Sequence, residues 1–107
     1  MGACAGGAVA SGAVFVLLLT YVKPLAEVDA LMPEHVAWLD EQYAAGRFLV
    51  SGRRIPRTGG VIVARGDDRD EIEALAATDP FVSGGVATCE VIRFRASQSA
   101  PGFDALP

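Results

Sequence analysis

An α+β fold with a single antiparallel sheet is what this sequence predicts, and three observations predict it. Four segments have strand character, at residues 13–22, 47–55, 61–65 and 87–95, with glycine, proline or aspartate in the turns between elements. Two segments between them have helical periodicity and readable ends, one at residues 33–46 and one running from Asp67 or Asp68 to Asp79. The resulting order is β-α-β-β-α-β, the ferredoxin-like arrangement of a four-stranded antiparallel sheet with two helices.

A chain of 107 residues has the length of one domain, and 51% hydrophobic residues are enough to build its core. Residues 1–12 (MGACAGGAVASG) are low in complexity and are expected to form a disordered leader, ahead of an α+β domain at 13–96 and an irregular C-terminal tail at 97–107. The leader lacks the basic start of a secretory signal, and the apolar run after it is too short to span a bilayer. Nine basic side chains against 13 acidic ones give a net charge of −4, which argues against nucleic acid or an anionic membrane as the partner. Cys4 and Cys89 make no disulfide framework, and with the single histidine they match no zinc spacing. No metal or other cofactor is expected, and the expected compartment is the cytoplasm.

The first strand (AVFVLLLTYV) shows no polar alternation, the pattern of a strand buried on both faces. Lys23-Pro24 ends it, and residues 25–32 read as a linker. In the first helix Pro33 occupies the opening turn, where its missing N–H costs nothing, and Gly46 follows the end. Val36, Leu39 and Tyr43, at i, i+3 and i+7, form the expected core stripe. At 100° per residue His35 lies one step outside that stripe, half in and half out of the core, with Trp38 beyond it.

The second and third strands (RFLVSGRRI and VIVAR) are joined by the turn PRTGG and read as a hairpin. Asp68 followed by Glu71 resembles a capping box, and the acids Asp67, Asp68, Asp70 and Glu71 suit the positive end of the second helix. Ile72, Leu75 and Ala76 make its apolar stripe, and Asp79-Pro80 stops it. Two helices cover only one face of such a sheet, yet the first and third strands are apolar on both. The other face is therefore expected to be buried by a second copy of the chain, in an interface of roughly 2,000 Å² or more.

The ordered set His35…Trp38-Leu39, Gly46-Arg47-Phe48-Leu49, Ser51-Gly52, Arg57-Thr58-Gly59-Gly60-Val61-Ile62, Asp79-Pro80-Phe81…Gly84 and Glu90-Val91-Ile92-Arg93-Phe94 resembles the YciI-like (YCII-related) family across residues 13–95. It resembles the branch with Asp-Pro-Phe, not the sister branch with Asp-Gly-Pro-Phe. The resemblance implies a dimeric α+β barrel, a homodimer whose two sheets pack face to face, with a higher oligomer left open. It implies a site built on His35 and Asp79, and it carries no established substrate. Similar dimeric barrels host lactone isomerases, dehalogenating lyases and monooxygenases acting on small cyclic or aromatic compounds. One departure stands out. Where the family has Ser-Gly-Pro or Ala-Gly-Pro, this chain has Ser51-Gly52-Arg53-Arg54, which brings two guanidinium groups toward the expected pocket mouth.

Each candidate residue has a functional and a structural reading. His35 suits general acid–base work, since imidazole titrates near neutrality; the alternative is a helix histidine bonded to a carbonyl. Asp79 opposes the helix dipole where it stands, so it is either a partner for His35 or a turn residue that bonds its own backbone ahead of Pro80. Ser51, Arg53, Trp38 and Phe81 are the candidate substrate contacts. Ser51 lacks a nucleophile's sequence context, Arg53 either pairs an anion or is solvated, and Trp38 lines a pocket or covers the dimer seam. Cys89, in mid-strand, reads as an inert thiol. The expected function is a small-molecule enzyme of isomerase or lyase type, in which His35, oriented by Asp79, moves a proton on a small cyclic or aromatic substrate. The alternative is a non-catalytic dimer that binds a small ligand.

Overall fold

In the computed structural model residues 13–101 are described; the expected leader at 1–12 and the end of the tail lie outside the described residues. β1 (Ala13–Tyr21) takes a central place because its apolar run accepts neighbours on both edges. It pairs antiparallel with β3 (Gly59–Gly66) and with β4 (Ala87–Phe94), while β2 (Phe48–Arg53) pairs antiparallel with β3, giving the order β2-β3-β1-β4. This is the ferredoxin-like sheet the element order predicts.

Residues directly opposite one another point to the same side of a sheet, so the register defines two faces. The row Ser51–Ile62–Leu17–Val91 and the row Arg53–Gly60–Leu19–Cys89 lie on one face. The rows Val50–Val63–Val16–Ile92 and Gly52–Val61–Leu18–Glu90 lie on the other. The first face carries the core, in which Leu17, Leu19 and Ile62 pack with Val28, Trp38 and Phe81 from the helical side. On the second face Val50, Ile92 and Phe94 are exposed in the single chain.

Four helical segments cover the first face, two more than expected: α1 (Leu25–Ala30), α2 (Met32–Ala44), α3 (Arg69–Ala77) and α4 (Pro80–Ser83). Residues 25–32 are thus no plain linker. The N–H groups of Glu27 and Val28 turn back onto the Pro24 carbonyl, and Val28 is fully buried. Asp79-Pro80 ends α3 as expected but also starts α4, with Asp79 as the N-cap and Pro80 in the first turn. Asp68 caps α3, its side chain accepting from the Asp70 N–H at 2.8 Å.

The face that α2 buries differs from the expected stripe. His35, Trp38 and Gln42 are buried, while Val36 is 44% and Tyr43 38% exposed. These polar-ended side chains can be buried because each finds a partner. The indole N–H of Trp38 donates to Thr78 Oγ1 at 2.9 Å, Arg47 donates to Gln42 Oε1 at 3.2 Å, and His35 meets Asp79. Gly46, at φ +77°, follows the helix in the left-handed conformation that closes its last turn. Among the described residues no helix is long and apolar enough to cross a membrane.

Candidate active site

A cavity of about 150 Å³ opens between α2 and the β2–β3 hairpin. Leu19, Gly60 and Ile62 form its sheet side, and Met32, Val36 and Leu39 its helix side. His35, Ser51, Arg53 and Tyr21 supply the polar groups, and Phe81 closes the inner end beside His35. Val36 and Leu39, expected in the core stripe, both line this cavity; Leu39 also packs against the core, whereas Val36 does not.

Two adjacent ties between helices set the geometry. His35 and Trp38 stand one turn apart on the buried side of α2, and Thr78 and Asp79 are consecutive where α3 ends. His35 Nδ1 lies 2.7 Å from Asp79 Oδ1, and the Trp38–Thr78 bond runs beside it. The Thr78 hydroxyl in turn donates to the Leu75 carbonyl at 2.6 Å, so its oxygen is aimed at the indole. Asp79 is 1% exposed, and its Oδ1 also accepts the Phe81 N–H at 2.9 Å. Both sequence readings of Asp79 hold at once: it bonds its own turn and it bonds His35.

Oδ1 accepts the Phe81 backbone N–H, and as a carboxylate oxygen it is placed to accept from Nδ1 as well, in the tautomer that carries the proton there. Nε2 has no hydrogen-bond partner among the described residues, and His35 lines the cavity. The ring plane is fixed as well, because Phe81 stacks on it with centroids 3.9 Å apart and planes 7° from parallel. Asp79 Oδ2 is buried without a partner, so the carboxylate's bonds all pass through Oδ1. The result is an imidazole held in one orientation by a buried acid and an aromatic ring, with one nitrogen left for a ligand.

The remaining candidates separate. Ser51 lines the cavity, and its hydroxyl is 2.6 Å from that of Tyr43, whose ring packs edge-on to Phe48. Tyr43 thus orients Ser51 instead of filling the core. Phe81 lines the cavity as expected of a substrate contact. Trp38 does not: it packs against Phe48 with centroids 5.2 Å apart and belongs to the core, which corrects its reading as a substrate contact. The two arginines expected at the pocket mouth diverge, because neighbouring strand residues face opposite ways. Arg53 lines the cavity, while Arg54 reaches Thr20 Oγ1 at 3.4 Å. Arg57 pairs with Asp29 of α1, which holds the Asp29 carboxyl below the usual carboxylate range.

Gly60, which its sequence context puts in a turn, forms the cavity floor. A Cβ there would stand 3.3 Å from the Gly52 carbonyl oxygen and 3.7 Å from Leu19 Cδ1, in the space the cavity uses. The hairpin register, which sets it opposite Arg53, is the signal that exposes its place. Cys89 is half-buried on the same face, and burial, with the Asp79 charge adding to it, pushes its thiol up to about 11. Among the described residues no three His, Cys, Asp or Glu side chains are grouped to hold a metal ion.

A sequence profile for the YCII-related domain matches residues 14–95. The chain belongs to the YCII-related family. No curated protein matches the sequence. Among solved structures this YCII-related chain is similar to 5-chloro-2-hydroxyhydroquinone dehydrochlorinase (TftG) from Burkholderia phenoliruptrix AC1100, in complex with 2,5-dihydroxybenzoquinone. The TM-score is 0.66 at 20% identity, over 76% of this chain and 92% of that one. It is also similar to SnoaB, a cofactor-independent oxygenase from Streptomyces nogalater, at TM-score 0.50 and 21% identity, over 85% of this chain and 98% of that one. These likenesses place the YCII-related chain in the α+β barrel fold.

Proposed function

We propose that this YCII-related protein is a cytoplasmic small-molecule enzyme in which the His35–Asp79 pair performs acid–base chemistry on a small cyclic or aromatic substrate, as an isomerase or lyase working with pocket side chains alone. One observation carries the reading: His35 Nδ1 lies 2.7 Å from the buried Asp79 carboxyl, and His35 lines a mostly apolar cavity in which Nε2 has no partner among the described residues. In that arrangement neutral Nε2 takes a proton from the substrate, and the imidazolium, stabilised by Asp79, returns it. Delivery to another carbon is isomerisation; in elimination the leaving group departs from the carbanion with its electron pair, and the imidazolium passes the proton to water. The Ser51 hydroxyl, oriented by Tyr43, is a polar contact for a substrate oxygen, and Phe81 presents an apolar surface to a ring. The dehydrochlorinase of similar fold, bound to a single-ring quinone, supports the choice of substrate class.

The enzyme works as a homodimer, and the open sheet face is the surface that a second copy covers. The exposed Val50, Ile92 and Phe94 of that face support this, since isolated chains rarely leave so many apolar strand residues in water.

The test is turnover of halogenated hydroquinones and small unsaturated lactones, followed by halide release and ultraviolet absorbance, in the parent, His35→Gln and Asp79→Asn. Loss of kcat by about 10²–10⁴-fold in His35→Gln, with KM changed far less, is the expected result. Unchanged kcat in both variants contradicts it. Tight binding of such rings with no turnover supports the non-catalytic ligand-binding dimer instead.

A further inference from the structure

We infer that the cavity takes a single-ring anion, a cyclic or aromatic compound bearing a carboxylate, and that Arg53 pairs with the negative group. The inference rests on the cavity being the ligand site proposed above. Its size fits, because engineered cavities of about 150 Å³ admit one benzene ring. Its chemistry has a direction. The ionisable side chains that line it are Tyr21, His35 and Arg53, and no aspartate or glutamate does so. Asp79 stands behind His35 and is consumed by it, which leaves the cavity with a cationic end and no anionic one.

The three arginines of the hairpin have separate fates, and only one is left for a ligand. Arg57 is engaged by Asp29, and Arg54 turns away to Thr20. Arg53 has no hydrogen bond or ion pair with any described side chain, although its charge acts on Asp29 from a distance. Its cross-strand neighbour is Gly60, so no side chain at that position stands between the guanidinium and the cavity. A planar guanidinium facing such a gap matches a carboxylate better than a neutral substituent. His35 Nε2 and Ser51 then meet the ring and its hydroxyls, while the carboxylate fixes which end enters first.

Isothermal titration with a matched pair, 2,5-dihydroxybenzoate and 2,5-dihydroxybenzamide, tests this in the full chain. The parent should bind the carboxylate at least about tenfold more tightly than the amide, as a charge-assisted pair implies. That preference should fall below about threefold in Arg53→Gln, return in part in Arg53→Lys, and survive in Arg54→Gln. Melting curves confirm that the variants, altered at exposed positions, remain folded. Equal affinity for the two compounds in the parent, binding of neither, or a preference that survives Arg53→Gln overturns the inference. A carboxylate preference in a protein that turns over no substrate keeps this inference and overturns the acid–base reading. Turnover of neutral rings without any carboxylate preference does the reverse.

Discussion

The two faces of the sheet are built from the same residue types and end in opposite conditions. On the helix face Leu17, Leu19 and Ile62 are sealed, and the cavity with its polar groups opens between α2 and the hairpin. On the open face Val50, Val63, Val16 and Ile92 make a continuous apolar row across all four strands, with Glu90 at the β4 end of the row beside it. The contrast separates two uses of apolar surface. A concave gap with a few convergent polar side chains selects a small molecule, whereas a continuous apolar row suits a flat, extended partner such as another sheet.

Substitution on the two faces should therefore fail in different ways. Leu17→Ala, at a fully buried core position, is expected to cost about 2–5 kcal/mol at any protein concentration. Leu18→Lys, its neighbour on the open face, should instead abolish self-association and the concentration dependence of the parent's unfolding midpoint. Denaturation at two concentrations a hundredfold apart checks both. A parent whose midpoint ignores concentration breaks the comparison. Next in size, Gly60→Val fills the cavity floor from the strand itself; it should abolish ring binding while costing about 1–3 kcal/mol of stability through overpacking. Titration beside a melting curve separates the two effects.

Trp38→Phe keeps the ring in the core but removes the bond to Thr78. A loss of about 1 kcal/mol is expected, with a fall in kcat if that tie aligns Asp79. The smallest effect concerns Cys89. With its thiol pushed up to about 11 by burial, alkylation of the Cys89 peptide at neutral pH should run roughly a hundredfold slower than for an open thiol. The sign for stability follows. The folded chain holds this proton more tightly than the unfolded one, so the contribution is complete below the unfolded thiol's pKa of about 8.5 and is lost as pH rises toward 11. Iodoacetamide rates from pH 7 to 10 check it.

Strand runs and caps made the β-α-β-β-α-β order legible, because a two-sided apolar strand and a proline–glycine turn are local signals. The two short helices were hidden for equally local reasons. In α1 a proline precedes six residues of mixed character, and in α4 the Asp79-Pro80 pair that halts one helix also opens the next. Hydrophobic spacing finds an apolar stripe on α2 without saying what that stripe faces. Val36 and Leu39 line the cavity, Leu39 also touching the core, and the buried positions are His35, Trp38 and Gln42, whose polar atoms are satisfied by groups 44, 40 and 5 residues away. Those distant partners leave no mark in helix periodicity. The His35–Asp79 pairing was expected from family resemblance, while the split of Arg53 from Arg54 needed the strand register.

The central claim is that Asp79 holds the proton on His35 Nδ1 and leaves Nε2 for a ligand. Nitrogen-15 NMR of the imidazole, at a pH where the ring is neutral, tests it most directly. The parent should show the Nδ1–H tautomer, and Asp79→Asn should show a mixture or the reverse tautomer. A parent ring protonated on Nε2, or a tautomer unchanged by Asp79→Asn, would contradict it.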